Sequence, residues 1–562
     1  MDVIRKLSVA PEEERKGSFV TGTSEVIEVH DHVHRALGTR QISFIAIGGS
    51  IGTALFVSIG LGLWRGGAAS LLIGFILYST VIVSVNNCQA EMTVFMPVTA
   101  PFIRMAGKWV DQAVGFAAGW NYFIYVICPS PINPLGGLIT ALSSVLGFWW
   151  DNVPLGAVCG ICIVFYAFLN IFAVKWYGEA EFWLSIGKIL LIFIVYAFTL
   201  VTMCGGNPQH DAYGFSHWNE PAPFKEYIHT GALGRFQGVL AGIFIAGGVI
   251  CGPEFICMVA GEAKNPRKDM NSAFKTMYWR FSVFFLLGAL AVGIVLPAND
   301  PNLTAVWDGS GGKSGAGSSP YVIAMSNMHI HGLPHLCNFL LCTSIFSAGN
   351  SYVYCSTRAL YGLALNGHAP RFLRQVTRHG IPLWCFLISI AFSCLSFLQV
   401  SNGSGVVLVW LVNIITAAQQ LDYMYMCLTY LFFKRALKAQ GIDRSTLPYV
   451  GWHTTFCAWW GLAGCSFVVV MQGYQVFYPS FWSVGDFFTW YCMLIVAVVF
   501  YGGWKLVKRT KVVKPHEADL VWERPIIDAY EATLVNEKEP FFREVWRMAT
   551  GMFSKKPRTA AE

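Results

Sequence analysis

The sequence predicts an all-α polytopic membrane protein of twelve transmembrane helices, with spans one and six unwound. Three observations predict it. Hydrophobic residues make up 55% of the 562 and charged residues only 13%, with a mean hydropathy of +0.50. A soluble domain carries nearer a quarter charged residues. Apolar segments of roughly 20 residues, the length a bilayer core requires, recur along the chain. Two of these segments carry glycine clusters in mid-span, where a simple anchor would carry leucine.

The apolar segments lie near 41–63, 70–92, 113–146, 154–174, 181–203, 235–259, 278–297, 333–356, 383–400, 405–432, 456–474 and 485–505. The third carries Pro129, Pro131 and Pro134, which predicts a kink or a break. Residues 1–40 are polar, lack a cleaved signal pattern and form an N-terminal tail. Residues 41–505 form the twelve-span domain and 506–562 a C-terminal tail.

Lys and Arg set the orientation. With the N-terminus in the cytoplasm, inner loops hold fifteen cations: Arg104, Lys108, Lys175, Lys264, Arg267, Lys268, Lys275, Arg358, Arg371, Arg374, Arg378, Lys434, Arg435, Lys438 and Arg444. Outer loops hold three, Arg65, Lys225 and Lys313. Both termini are therefore expected in the cytoplasm, and the net charge of +7 follows from this placement. The longest outer loop, about 298–332, contains Asn302-Leu303-Thr304, a candidate glycan acceptor. The 16 cysteines lack metal or framework spacing and read as small hydrophobes. With no phosphate-binding loop, metal constellation or nucleophile triad, the expectation is no enzymatic activity, no cofactor or metal, no nucleic-acid partner and no use of ATP.

The first span holds Gly48-Gly49-Ser50-Ile51-Gly52-Thr53-Ala54-Leu55-Phe56. Each interior glycine weakens a helix by roughly 1 kcal/mol relative to alanine. A break at membrane depth is tolerated only where the freed backbone faces protein, a cavity or a ligand. The N–H groups of a half-helix after such a break can hold an anionic group such as a carboxylate. The competing reading is a small-residue packing face. The sixth span repeats the anomaly with Ala246-Gly247-Gly248-Val249-Ile250-Cys251-Gly252-Pro253-Glu254. Two interrupted spans five apart point to a five-plus-five inverted repeat with a binding site between the breaks.

These stretches, with others, resemble the fungal amino-acid permeases of the amino acid–polyamine–organocation superfamily. Gly48 to Phe56 resembles the family's GGSIGTGLF, with Ala54 where glycine is usual. Val110 to Tyr122 resembles the start of its third span, and Gly261-Glu262-Ala263-Lys264-Asn265-Pro266-Arg267-Lys268 the loop after span six. Ser347 to Ala364 resembles its eighth span and Tyr430 to Gly441 the end of its tenth, so the likeness covers roughly residues 35–510. It implies a LeuT/APC-like fold and proton-coupled uptake of amino acids across the plasma membrane by alternating access. It places the substrate carboxylate on Ser50, Ile51, Gly52 and Thr53, and the amino group on carbonyls of Gly248, Val249 and Ile250. It favours Lys188 in span five for proton coupling, in the place of a sodium ion in related transporters.

Two departures bear on specificity. Asn133 stands where relatives usually carry a glutamate, and span ten carries the polar cluster Gln419, Gln420 and Asp422. The chain end also lacks the aromatic-cysteine terminus of many relatives.

Ionisable residues inside membrane segments default to functional hypotheses. Lys188 is a candidate for proton coupling; the alternative is a lysine snorkelling to an interface roughly 10 Å away. Glu254 is a candidate coupling, gating or substrate-binding carboxylate, or a structural acceptor. Asp422 could attract a cationic substrate or be satisfied by a neighbouring helix, and Asn350 could contact ligand or bridge helices. Glu262, Lys264, Arg267 and Lys268 could form an inside gate or simply answer to topology. Lys6 and Lys16 are candidate attachment sites for ubiquitin-ligase machinery, a reading open to any exposed lysine. The partners expected are an amino acid or amine, protons and the lipid bilayer. Two further readings stay open: a carrier of carnitine-like or polyamine cations, and a nutrient receptor that transports little.

Overall fold

A computed structural model describes residues 35–534, apart from 53, 128–141, 143–144, 147–148, 151–152, 173, 308–318, 378–379 and 401–416. The prolines of the third span and the glycine-rich part of the 298–332 loop lie outside the described residues, as do Lys6 and Lys16.

The described residues are helical nearly throughout, and the helices follow the apolar segments. α1 (Thr39–Ser50) ends at the first glycine cluster. A π-helical turn at Ala54–Ser58 then leads into α2 (Ile59–Phe95). At 37 residues α2 is too long for one crossing, and Gly67 divides it with φ 83° and ψ 172°. A Cβ there would meet the Pro223 carbonyl at 2.8 Å, so glycine is required twice over, by backbone and by space. α2 thus holds the second half of span one and all of span two.

Next come α3 (Pro101–Trp109), α4 (Gln112–Ile127), α5 (Leu155–Phe172) and α6 (Val174–Met203). The sixth span is split into α7 (Gly231–Val249) and α8 (Pro253–Met258). α9 (Pro266–Arg280) runs through a π-helical turn at Phe281–Leu286 into α10 (Leu287–Val295). Short α11 (Pro301–Trp307) and α12 (Pro320–Asn327) precede the long α13 (Leu333–Leu365). α14 (Leu383–Ser393), α15 (Ala418–Ala439), α16 (Thr454–Met471) and α17 (Val484–Lys508) complete the bundle, and α18 (Arg524–Ala532) follows. Among the described residues, six helical stretches are long and apolar enough to cross a membrane by composition. Val164, Leu200 and Val498 are among the large apolar side chains that α5, α6 and α17 leave exposed, as a lipid-facing surface requires.

α1 packs on α6, α8 and α13, while α7 packs along α2. The two broken spans therefore sit inside the bundle. Segment 509–534 lies on the end of the bundle that carries the basic loops. Val513 donates to Val110 O at 2.8 Å and Trp109 Nε1 to Asp519 O at 2.8 Å. Arg104 pairs with Glu523, and Arg267 pairs with Asp528 at 2.6 Å and Glu531 at 2.8 Å. Ala518, Leu520 and Ile527 join a core with Met92, Phe95 and Phe433. Asn302 lies on α11 and its amide donates to Asn327 Oδ1 at 3.1 Å.

Candidate substrate site between two broken helices

At the first break α1 loses its helical course at Ile51, whose φ and ψ are −104° and 97°. At the second, Ile250 is extended and Gly252 takes φ 148°, ψ −37°, a conformation that suits glycine. The breaks touch. The Cys251 thiol donates to Ser50 O at 3.5 Å, and Ser344 Oγ on α13 donates to Ile51 O at 3.5 Å. Carbonyls freed by the first break thus find partners on the sixth and eighth spans, the condition for a tolerated break at membrane depth.

Between the breaks lies a narrow cavity of about 10 Å³. Gly49, Ser50, Gly52 and Ala54 line one side, Gly248, Val249 and Cys251 the other, and Ala348 and Tyr352 of α13 close it. About one water fits in such a space, so an amino acid can enter only if the surrounding helices part. Phe255 lies directly on Gly49, where a Cβ would meet its ring at 2.5 Å, and Tyr352 stands edge-on to Phe255 at 5.5 Å. Of the expected residues, the structure brings together Ser50, Gly52, Gly248 and Val249. Ile51 and Ile250 flank the cavity without lining it. Thr53 and Asn133 lie outside the described residues.

Lys188 is fully buried. Its Nζ donates to Gly48 O at 2.5 Å, two residues before α1 ends. The bond ties α6 to the end of α1. α6 begins at Val174, so Lys188 lies 14 residues into it, roughly 21 Å along the axis.

Glu254 Oε2 accepts from Gly252 N at 3.0 Å and from Tyr423 OH at 2.8 Å. An acceptor in the first turn of α8 satisfies an orphan N–H and favours the helix dipole. Its Oε1 has no hydrogen-bond partner among the described residues. Asp422 on α15 accepts from Asn121 at 2.9 Å through Oδ1, while its buried Oδ2 is likewise unpartnered. Gln420 donates to Gly247 O at 2.8 Å and accepts from Tyr78 OH at 2.9 Å, and Gln419 donates to Tyr423 OH at 2.9 Å. The polar cluster of span ten therefore braces the second break. Asp422, Glu254 and Asn350 do not line the cavity.

Asn350 spends its amide on a network. It donates to Glu181 Oε2 at 3.3 Å and accepts from Asn170 at 2.8 Å. Ser347 Oγ donates to Glu181 Oε1. The sequence alone does not single out Glu181. Its signal was available, seven residues before Lys188 and so two turns along one helix face.

Below the cavity, Glu262 accepts from Arg358 Nε at 2.8 Å and Tyr354 OH at 2.6 Å. Tyr177 stacks on Tyr354 at 4.4 Å, and Leu37 N donates to Glu262 O at 2.9 Å. Glu262 therefore joins the loop after span six to α13, α6 and the segment before α1. Arg267 faces α18 instead.

The profile of the amino acid permease family matches residues 41–517. A general amino acid permease of Saccharomyces cerevisiae is 41% identical over 540 residues, covering 94% of this chain and 89% of the relative. A proline-specific permease of Emericella nidulans is 33% identical, covering 92% and 94%. A dicarboxylic amino acid permease of Saccharomyces cerevisiae is 34% identical, covering 89% and 81%. Among solved structures, a manganese transporter of Eremococcus coleocola superposes with a TM-score of 0.53 at 13% identity, over 90% of this chain and 99% of that one. At that identity the likeness concerns the fold.

Proposed function

Because the chain belongs to the amino acid permease family, we propose that it is a secondary active transporter that couples amino-acid uptake to protons by alternating access. The observation that carries the reading is the contact of two broken helices around a cavity lined by Ser50, Gly52, Gly248 and Val249. The substrate carboxylate sits on backbone N–H groups after the first break, from Ser50 to Thr53, and the amino group on carbonyls near Gly248, Val249 and Ile250. Lys188 beside the first break and Glu254 at the second link the motion to protons.

The architecture belonging to this reading is twelve spans in a plasma membrane, with both termini cytoplasmic and a five-plus-five inverted repeat. Glu262 with Arg358 and Tyr354 then closes the cytoplasmic side, and the about 10 Å³ cavity belongs to a closed state. Two unpartnered carboxylate oxygens, Glu254 Oε1 and Asp422 Oδ2, favour a substrate bearing a positive charge beyond its α-amino group: a basic amino acid, a polyamine or a carnitine-like amine.

The test is uptake of labelled L-proline, L-arginine, L-glutamate, carnitine and spermidine into vesicles holding the purified protein, with and without an imposed pH gradient. Uphill accumulation of at least one compound that collapses with the gradient supports the reading. Saturable binding of a compound without uptake supports a receptor instead.

A further inference from the structure

Glu181 is fully buried and the cycle above gives it no task. Ser347 donates to its Oε1 and Asn350 to its Oε2, both from α13. On the other side it lies against the backbone of α1, where a Cβ on Gly48 would stand 1.9 Å from Oε1. Two turns along the same helix, Lys188 holds the carbonyl of that same Gly48 at 2.5 Å. One carboxylate and one ammonium from α6 thus hold both sides of one residue just before the first break.

We propose that Glu181 carries the coupled proton and exchanges it in step with the substrate carboxylate at the span-one break. The inference rests on the proton-coupled reading and deepens it. An uncompensated charge at membrane depth costs at least a few kcal/mol. With Glu181 ionised, Glu181 and Lys188 are neutral as a pair and the break has no net attraction for an anion. A proton from the outer water adds to Oε1 and leaves Lys188 in positive excess, hydrogen-bonded only to a carbonyl. A substrate carboxylate at the break removes that excess, so proton and substrate stabilise one another's binding. On the inner side the substrate leaves, and the proton passes from Oε1 to water. The Ser347 hydroxyl serves both states, donating to the carboxylate and accepting from the acid.

The other titratable groups facing Glu181 are Tyr177 on α6, Tyr166 on α5 and Cys355 on α13. Arg40 of α1 is turned to Glu179, and Arg358 to Glu262. Glu254 is bound through Oε2 to the N-terminus of α8 at the second break, apart from the Glu181 network.

Calorimetric binding of L-proline, L-arginine and L-glutamate, each tested separately from pH 5 to 8, tests the proposal. Wild-type affinity for at least one should fall by about 10-fold or more as pH rises, within the usual range of coupling between sites. Buffers of differing ionisation enthalpy should report proton uptake on binding. Glu181→Gln fixes the neutral form. It should bind with the low-pH affinity throughout, take up no proton and lose gradient-driven accumulation. Glu181→Asp, which still titrates, should keep the pH dependence with a displaced midpoint. If Glu181→Gln takes up the proton as the wild type does, the proposal fails and the proton-coupled reading stands. Loss of binding at every pH in Glu181→Gln, with Glu181→Asp normal, assigns a structural role and also overturns it. Wild-type binding of all three without pH dependence removes both readings.

Discussion

The Lys188 ammonium donates to the Gly48 carbonyl at 2.5 Å, tying the fifth span to the first just before the first helix breaks. The bond spends a buried charge on one backbone oxygen, and no carboxylate pairs with Lys188 within 4 Å among the described residues. A charge so placed senses both the position of α1 and any anion at its broken end. Lys188→Ala should therefore lose pH-gradient-driven accumulation by about 10-fold or more, while substrate exchange at equal concentrations falls less. Paired accumulation and exchange measurements on one vesicle preparation check this. Unchanged pH dependence of accumulation would make Lys188 a packing residue.

The two glycines of the first break should respond to substitution in opposite ways. A Cβ on Gly52 would stand 3.6 Å from Ala348 Cβ, an ordinary contact, so Gly52→Ala should retain saturable uptake. Gly52→Leu fills the cavity and should abolish it with surface expression intact. At Gly48 even a methyl group meets Glu181 Oε1 at 1.9 Å, so Gly48→Ala should impair both folding yield and uptake. Normal uptake in Gly52→Leu would remove the substrate from this break.

The proposed closure on the cytoplasmic side rests on Glu262. Arg358 and Glu262 are almost wholly buried and pair at 2.8 Å. Removing one member of a buried pair costs about 3–5 kcal/mol, because the other is left uncompensated. Glu262→Gln should lower the thermal unfolding midpoint and raise maleimide labelling of Cys355, which is buried one turn from Arg358. Labelling resolved by mass spectrometry distinguishes opening from global unfolding, since Cys88 and Cys465, buried in other parts of the bundle, should stay protected.

His368 follows α13, outside the spans. Burial among Phe116 and Trp504 pushes its imidazole down to about 4, and neither ring nitrogen has a hydrogen-bond partner among the described residues. The unfolded imidazole titrates near 6.5, so between these values the unfolded chain binds the extra proton. Stability is then fully present above about pH 6.5 and lost as pH falls toward 4, by up to about 3 kcal/mol at 1.36 kcal/mol per pH unit. His368→Phe should flatten this part of the thermal stability profile between pH 5 and 7. It should leave the pH dependence of uptake in place, since His368 lies far in sequence and fold from Gly48 and Lys188.

Both breaks were legible in the sequence because they contradict local propensity. Glycines clustered in mid-span are a signal that needs no partner to be read. The full length of α6 was not legible, because hydropathy ends the fifth span at Glu179 and Glu181. The helix continues to Val174 because those carboxylates have distant partners, Arg40 at 3.2 Å and the Ser347–Asn350 pair. α13 likewise runs past residue 356 to Leu365 because Arg358 is neutralised by Glu262, 96 positions away. The 509–534 segment read as a tail for the same reason: Leu520 and Ile527 are too few to announce a core, yet the bundle supplies the rest of it.

On the proposed reading, specificity turns on the carboxylates that remain if the usual span-three glutamate is absent. If Asn133 takes that place, as the family resemblance implies, the site has one anion fewer. Glu254 is held at the half-helix N-terminus through Oε2 by Gly252 N–H and Tyr423 OH, which leaves only its Oε1 bare. Asp422 is answered on one side by Asn121 at 2.9 Å, but its Oδ2 is buried and bare. A buried carboxylate oxygen without a donor is costly, and a cationic group brought close by the substrate offsets that cost. A cationic substrate also needs such an anion, for the same reason of charge at depth. Asp422→Asn should therefore weaken uptake of basic amino acids and amines by about 10-fold, the effect of one interaction worth roughly 1.4 kcal/mol, while neutral amino acids change little. Asn133→Glu should move the profile toward that of permeases that carry the glutamate. The measurement is competition against a labelled substrate by acidic, neutral, basic and quaternary-ammonium compounds, in wild type and both variants. If the three profiles coincide, neither residue faces the substrate. Asp422 then serves only to join α15 to α4 through Asn121.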